Sequence, residues 1–394
     1  MASVPLFQGK TNNQRLYFLD WVRIFAFFLL IMYHVGMYYV TWDWSIKSPF
    51  SSDTLEPLML LSNPWRLGLL FMVSGVASSF MLNKGSAGQF GWQRSLRLLI
   101  PLFFGMAVIV PPQPYLEATE KAGYAGSYVD FLYLYFHAYK GLCYQSGCIR
   151  MPTWSHLWFV VYIWAYSMVL GLLMGCTPRL VDKMREGLRT WMRGWSIVIL
   201  PVVYLGLVRL ILLNDFPQTF ALLGDWFNHS TYLFLFLFGA LIATVQCFWE
   251  ELAKVRWRSL GLALAGWTFW YFSPKYFSNT QTIAIEVRIF REIIFVFLAW
   301  NAILAACGFA KQHLNFDHAA RRYLALAVFP VYILHQTIII MLAHAFKPLQ
   351  MSPLLEGLLL LSITFVLSFV GFDLIRRVAI LRPLFGLPWN LKQQ

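Results

Sequence analysis

The sequence predicts an all-α polytopic membrane protein of about ten transmembrane helices, with both termini in the cytoplasm. Three observations carry that expectation. Of 394 residues, 59% are hydrophobic and only 12% are charged, and the mean hydropathy of +0.59 is one that no ordinary soluble domain matches. Apolar runs of helical length recur so evenly that one membrane domain absorbs nearly the whole chain. Lys and Arg gather in alternate segments between those runs, roughly twenty on one side against six on the other, which is the positive-inside pattern and sets the orientation.

Hydropathy and helix length place spans near residues 17–40, 65–82, 97–114, 154–175, 195–213, 231–249, 259–273, 287–309, 323–345 and 355–375. Residues 1–16 read as a cytoplasmic N-terminal segment, 17–375 as a single transmembrane domain and 376–394 as a cytoplasmic tail. The first apolar run, Trp21 to Val40, is too long and too rich in large residues for a cleavable signal peptide, so it stays as an anchor. The seventh span is short and breaks at Ser273-Pro274. Lys10, Arg15, Arg94, Arg97, Arg321 and Lys392 fall on the basic side, whereas Arg23, Arg66, Arg209, Arg288 and Arg291 lie within or at the edge of spans and demand an explanation. Cys143 and Cys148 share one inter-helix segment and read as free thiols, with a small disulfide-closed loop as the alternative if that segment is exported.

A net charge of +13 raises the question of nucleic acid, but the basic residues are distributed as orientation signals and no nucleic-acid motif accompanies them. Walker, dinucleotide-binding and His-Glu-x-x-His patterns are absent, and the cysteines lack zinc spacing, so no metal is expected. There is no internal repeat of the kind that two-fold transporters carry.

Charge within hydrocarbon is expensive and usually marks function. At about 100° and 1.5 Å per residue, Asp20, Arg23 and His34 share one stripe of the first helix, with His34 roughly 16 Å beyond Arg23. A neutral imidazole in the outer half of the membrane suits a general base. His335 reaches a similar depth along the ninth span, with Tyr332 on the same lining, so the two histidines can share a cavity. Arg94 and Arg97 stand at i and i+3 on one face at the basic surface, where paired guanidinium groups suit phosphates. Coenzyme A fits these dimensions: phosphates on Arg94 and Arg97, and a pantetheine arm carrying a thioester toward His34. On the other side Arg66, His156, Trp158, Arg288, Arg291 and Glu292 lie near span beginnings and form a candidate acceptor or acyl vestibule. Trp158 also reads as an interfacial belt residue, and Arg288 with Glu292 as a plain i, i+4 ion pair. Ser74-Gly75 lacks the first glycine of a nucleophile elbow and reads as a close helix contact.

Taken in order, Leu19-Asp20-Trp-Val-Arg23 with His34, Phe71-Met-Val-Ser-Gly75, Arg94-Ser-Leu-Arg97, His156-Leu-Trp-Phe159, Tyr232-Leu-Phe-Leu-Phe-Leu-Phe-Gly239 and Tyr332-Ile-Leu-His335 resemble the acyltransferase 3 family of integral membrane acyltransferases. The resemblance runs from the first span to the ninth and looks like the family's stand-alone form. It implies acyl transfer from cytoplasmic acyl-CoA, succinyl-CoA or acetyl-CoA, to a hydroxyl at the outer face. His34 is then the essential residue with Arg23 and Asp20 as its partners, and Arg94, Arg97 and Ser74 handle the donor. The chain length and the opening Tyr17-Phe-Leu-Asp20 are most similar to the branch that succinylates periplasmic glucans, which implies an envelope glycan partner in a bacterial inner membrane. Direct attack by the hydroxyl and a covalent acyl-histidine both remain open. The competing class is a proton-coupled transporter whose intramembrane His and Arg residues form a relay.

Overall fold

The computed structural model describes residues 16–145, 147–277 and 285–389, apart from the side chains of 274–277. The expected N-terminal segment with Lys10 and Arg15, and Lys392 in the tail, lie outside the described residues. Helices dominate. In chain order they are α1 (Tyr17–Tyr39), α2 (Glu56–Leu82), α3 (Ala87–Phe104), α4 (Pro112–Lys121), α5 (Tyr128–Phe136), α6 (Trp158–Cys176) and α7 (Pro178–Trp191). Then follow α8 (Ser196–Leu212), α9 (Trp226–Ile242), α10 (Gln246–Phe277), α11 (Ile285–His313), α12 (Ala319–Phe346), α13 (Pro353–Arg377) and the short α14 (Leu381–Leu384). A small antiparallel hairpin, β1 (Cys143–Tyr144) with β2 (Gly147–Cys148), sits between α5 and α6.

Each of the ten expected spans falls on a helix, but the count is revised. Among the described residues six helices are long and apolar enough to cross a membrane, and eight spans result if each of two bent pairs counts as one. The reasons are physical. α8 has 17 residues, about 25 Å at the helical rise, which is short of a full hydrocarbon core. α3 bends by 41° into α4 after a π-helical turn at Gly105–Ile109, and α9 meets α10 at 111°. The expected break at Ser273-Pro274 does not occur, because α10 continues to Phe277.

Boundaries also shift. α2 starts at Glu56 rather than near 65, since the helix runs through Pro64. α3 starts at Ala87 because Ser86 and Gln89 form a reciprocal capping box that satisfies orphan N–H groups there. The end of α1 is held by Lys47, whose ammonium donates to the carbonyls of Met37 at 2.7 Å, Trp42 at 2.9 Å and Val40, placing a cation on the negative end of the helix. Between Pro178 and Trp191, α7 carries Arg179, Lys183, Arg185 and Arg189 and buries Val181. Cys143 and Cys148 are joined by a disulfide that closes the hairpin, which corrects the free-thiol reading.

Three helix packings place the functional side chains. α1 packs on α12, which in turn packs along α13, and α2 packs on α9. The last contact depends on glycine: a Cβ at Gly75 would lie 1.8 Å from the Phe236 carbonyl oxygen, and one at Gly239 would lie 2.0 Å from that of Met72. Only hydrogen fits at either point, so α2 and α9 touch backbone to backbone. The expected packing role of the Ser74-Gly75 step is therefore met by Gly75.

Candidate active site

α1 delivers His34 and α12 delivers His335 to one point inside the bundle. His34 Nδ1 lies 2.8 Å from His335 Nε2, and the rings are 10° from parallel with centroids 5.0 Å apart. His335 is fully buried, and its Nδ1 lies 2.6 Å from the backbone carbonyl of Tyr332. A carbonyl oxygen only accepts, so His335 Nδ1 carries the proton and, in the neutral ring, Nε2 is the acceptor. His34 Nδ1 must then donate to it. The remaining lone pair of this histidine pair therefore resides on His34 Nε2.

A second layer fixes the pair. His156, in the single turn Ser155–Leu157 that leads into α6, lies with Nε2 3.1 Å from the Ile333 carbonyl, while its own carbonyl accepts from the Tyr332 hydroxyl. Its ring stands edge-on to His335, at 5.3 Å and 89°. By the same donor logic His156 Nδ1 accepts from the amide of Gln113 at 3.3 Å, which also donates to Thr337 Oγ1 at 2.7 Å. The Gln113 carbonyl in turn accepts from Ser155 Oγ at 2.7 Å and Gln336 Nε2 at 3.1 Å. Thr337 Oγ1 closes the set by donating to Ile109 O at 2.8 Å. A buried network with its valences filled rigidifies what it holds. Gln113, Ser155, Gln336 and Thr337 escaped the sequence reading, although two polar residues directly after His335 in an apolar run were a visible sign.

Near the start of α1 the side chains are ionic. Arg23 Nη2 lies 3.3 Å from Asp20 Oδ1 and 3.4 Å from Ala325 O. Asp20 also pairs with Arg321, a buried residue of α12 whose Nη2 lies 2.8 Å from Asp317. These bonds hold the Asp317 carboxyl below the usual carboxylate range. Arg321 was expected to be a surface orientation charge, and instead it ties α1 to α12. The Arg94 side chain is buried with Nε 3.1 Å from Ser167 Oγ, and Arg97 lies within electrostatic reach of Arg23. Neither Arg94 nor Arg97 has a carboxylate partner among the described residues, and no hydrogen bond joins Ser74 to either. A narrow apolar cleft of about 10 Å3 lies between α1, α12 and α13, lined by Phe27, Phe28, Val328, Tyr332, His335 and Phe369 among others. Along α12 its lining runs from Leu324 to His335, roughly 16 Å at the helical rise, and along α1 from Phe27 to Ile31, between the levels of Arg23 and His34.

On the opposite side of the histidines, Arg66 of α2 lies over the Tyr33 ring at 4.0 Å. Trp158 is corrected from a membrane-belt residue to a member of an aromatic cluster, with ring centroids 4.6 Å from Phe220, 6.0 Å from Tyr232 and 6.1 Å from Phe71. The expected Arg288–Glu292 pair is replaced: Glu292 faces α8 and binds Arg209, which also lies over the Phe295 ring at 4.0 Å. Arg291 lies over Trp270 at 5.6 Å and Arg288 is exposed, so neither joins the histidine group.

The family match assigns this multi-helix membrane bundle, with its paired histidine between charged ends, to a class: it is an integral membrane acyltransferase. The acyltransferase domain model matches residues 16–373, and the chain belongs to the acyltransferase 3 family. Glucans biosynthesis protein C of Escherichia coli (strain K12) is 23% identical over 384 residues, covering 95% of this chain and 94% of that protein. The protein of the same name from Salmonella paratyphi B is 22% identical over 408 residues, covering 100% of this chain and 98% of its own. No solved structure matches the chain.

Proposed function

We propose that the protein is an acyl-CoA-dependent O-acyltransferase of a bacterial inner membrane. In this reading it moves an acyl group, succinyl or acetyl, from cytoplasmic acyl-CoA to hydroxyls of a periplasmic or other envelope glycan. The likeness to glucans biosynthesis protein C favours a glucan as acceptor. The carrying observation is the chain from Tyr332 O through His335 to His34, which leaves His34 Nε2 as an oriented base inside the membrane domain.

His34 Nε2 takes the proton of the acceptor hydroxyl as its oxygen attacks the thioester carbonyl carbon. The C–S bond then breaks and coenzyme A leaves as the thiol, taking that proton back. Alternatively Nε2 attacks the thioester carbon first, the C–S bond breaks and coenzyme A leaves as thiolate; the hydroxyl oxygen then attacks the acyl-imidazole carbon, the C–N bond breaks to return the imidazole, and the hydroxyl proton passes to the thiolate, so the same nitrogen serves both routes. Arg94 and Arg97, lacking carboxylate partners among the described residues, suit the donor's phosphates, with Arg23 close by. In this reading the pantetheine arm runs from the donor end toward His34 along the face that α1 shares with α12, where the narrow cleft lies. The disulfide supports an oxidising environment for the hairpin, in line with cytoplasmic termini by the positive-inside rule.

The test is transfer of label from radiolabelled acetyl-CoA and succinyl-CoA into envelope glycan by membranes carrying the wild type or His34→Ala. Label that vanishes with His34→Ala supports the enzyme. Absence of transfer by folded wild-type protein, together with substrate uptake by vesicles lacking acyl-CoA, turns the reading to a proton-coupled transporter.

A further inference from the structure

The arginines around the histidine group divide by partner. Arg23 has Asp20, Arg321 has Asp20 and Asp317, and Arg209 has Glu292. Arg94, Arg97 and Arg66 have no carboxylate partner among the described residues. Two of these three stand at the donor end. Arg66 stands alone at the other.

Its isolation is costly. The Arg66 side chain is 1% exposed, its Nη1 donates to Ser62 Oγ at 3.1 Å, and its buried Nε has no hydrogen-bond partner. Neutral hydroxyls of Ser62 and Tyr33 and one aromatic face do not offset the removal of a guanidinium from water. Helix register brings this charge to the histidines: α1 and α2 run antiparallel, and Gly36 abuts Met59, so Tyr33 is level with Ser62. Arg66, reaching back one turn to Ser62, thus lies beside the residue preceding His34 and within electrostatic reach of His34 itself.

We propose that Arg66 determines specificity for the acyl group by binding a carboxylate at the far end of a dicarboxylic acyl chain while the thioester carbonyl lies at His34. This rests on the acyl-CoA reading above. Its logic is charge complementarity: the donor then carries an anion at each end, phosphate toward Arg94 and Arg97 and carboxylate toward Arg66, with the reacting carbon between. A neutral sugar hydroxyl brings no anion, and an acetyl group leaves Arg66 without a counter-charge.

The experiment compares the reconstituted full-length wild type, Arg66→Gln and Arg66→Lys, each given succinyl-CoA or acetyl-CoA with glucan as acceptor. It also presents the wild type with the terminal amide analogue of succinyl-CoA, which has the same shape and no charge. The expected results are a succinyl-to-acetyl ratio of kcat/KM that falls roughly 10- to 100-fold in Arg66→Gln and partly recovers in Arg66→Lys, and a similar fall for the amide on the wild type. An equal loss for both donors would assign Arg66 to oxyanion stabilisation or to packing, and would overturn the proposal. So would an amide used as well as succinyl-CoA, a comparison that needs no variant to fold. If the folded wild type transfers from no donor at all, it is the acyl-CoA reading that fails.

Discussion

Replacing His335 by leucine removes the acceptor of the His34 Nδ1–H bond and keeps an apolar side chain in the site. Two effects follow. The His34 N–H is left buried without a partner, a penalty of about 1–3 kcal/mol. The imidazole is also free to move its proton to Nε2, which turns the lone pair away from the acceptor hydroxyl. If the first penalty is felt in the transition state, the rate falls roughly 5- to 150-fold, and tautomer reversal takes the loss to the upper end of that range. His335→Gln is the decisive companion, because a glutamine amide places its carbonyl oxygen near the position of the lost Nε2 and can accept the same bond. His335 is a positioning residue in this account, so His335→Gln regains a large part of the rate while His34→Ala, which loses the base itself, falls by about 10²- to 10⁴-fold. The assay is initial rate of acyl transfer in proteoliposomes, with each variant first shown to be monodisperse and to melt cooperatively in detergent. Wild-type activity in His335→Leu, or equal inactivity in the leucine and glutamine variants, would refute the reasoning.

Further expectations follow from other parts of the molecule. Arg97→Gln raises the KM for acyl-CoA by roughly 10- to 100-fold with a smaller change in kcat, as loss of a charged phosphate contact does, and steady-state kinetics over the donor concentration read this out. Gly75→Ala drives a methyl into the Phe236 carbonyl, and because the obstacle is backbone the expected cost exceeds the usual ~1–3 kcal/mol of overpacking; a melting temperature close to that of the wild type would count against the α2–α9 contact. In right-side-out spheroplasts a membrane-impermeant maleimide labels Cys143 and Cys148 only after reduction, whereas Cys176 and Cys247 react only once the cells are opened. Labelling of the hairpin from the cytoplasmic side would reverse the orientation.

The helical segments were legible because hydropathy is a local property: each expected span lands on a helix. What hydropathy does not record is how helices meet. The seventh span looked broken because Ser-Pro usually ends a helix, yet the helical backbone of α10 continues past it to Phe277. The depth of His34 and His335 was readable from the rise per residue, but their 2.8 Å contact needs the α1–α12 crossing, which connects residues about 300 positions apart. The same holds for Arg321. Its place in a basic segment suggested an orientation signal, and only the fold turns it inward onto Asp20. Glu292 chose Arg209 over its helical neighbour for a similar reason, since its side chain points into the α8–α11 interface rather than along its own helix.

Several contacts that hold the site in place end on main-chain oxygens. His335 binds Tyr332 O, His156 binds Ile333 O, Tyr332 binds His156 O and Arg23 binds Ala325 O. Peptide carbonyls survive every substitution at the residues that bear them, so the acceptor roles of Ile333 and Ala325 do not depend on their side chains, and core packing alone constrains the buried Ile333. A site pinned in this way demands few fixed letters from the chain around it. Lipid-facing and packing positions are then open to exchange among apolar residues, and two members of one family can drift to 23% identity over nearly their whole length. For protein engineering, this makes the exposed apolar positions of α13, such as Leu358, Val366 and Leu374, the places to alter first, and the handful of polar side chains that grip the backbone the places to leave alone.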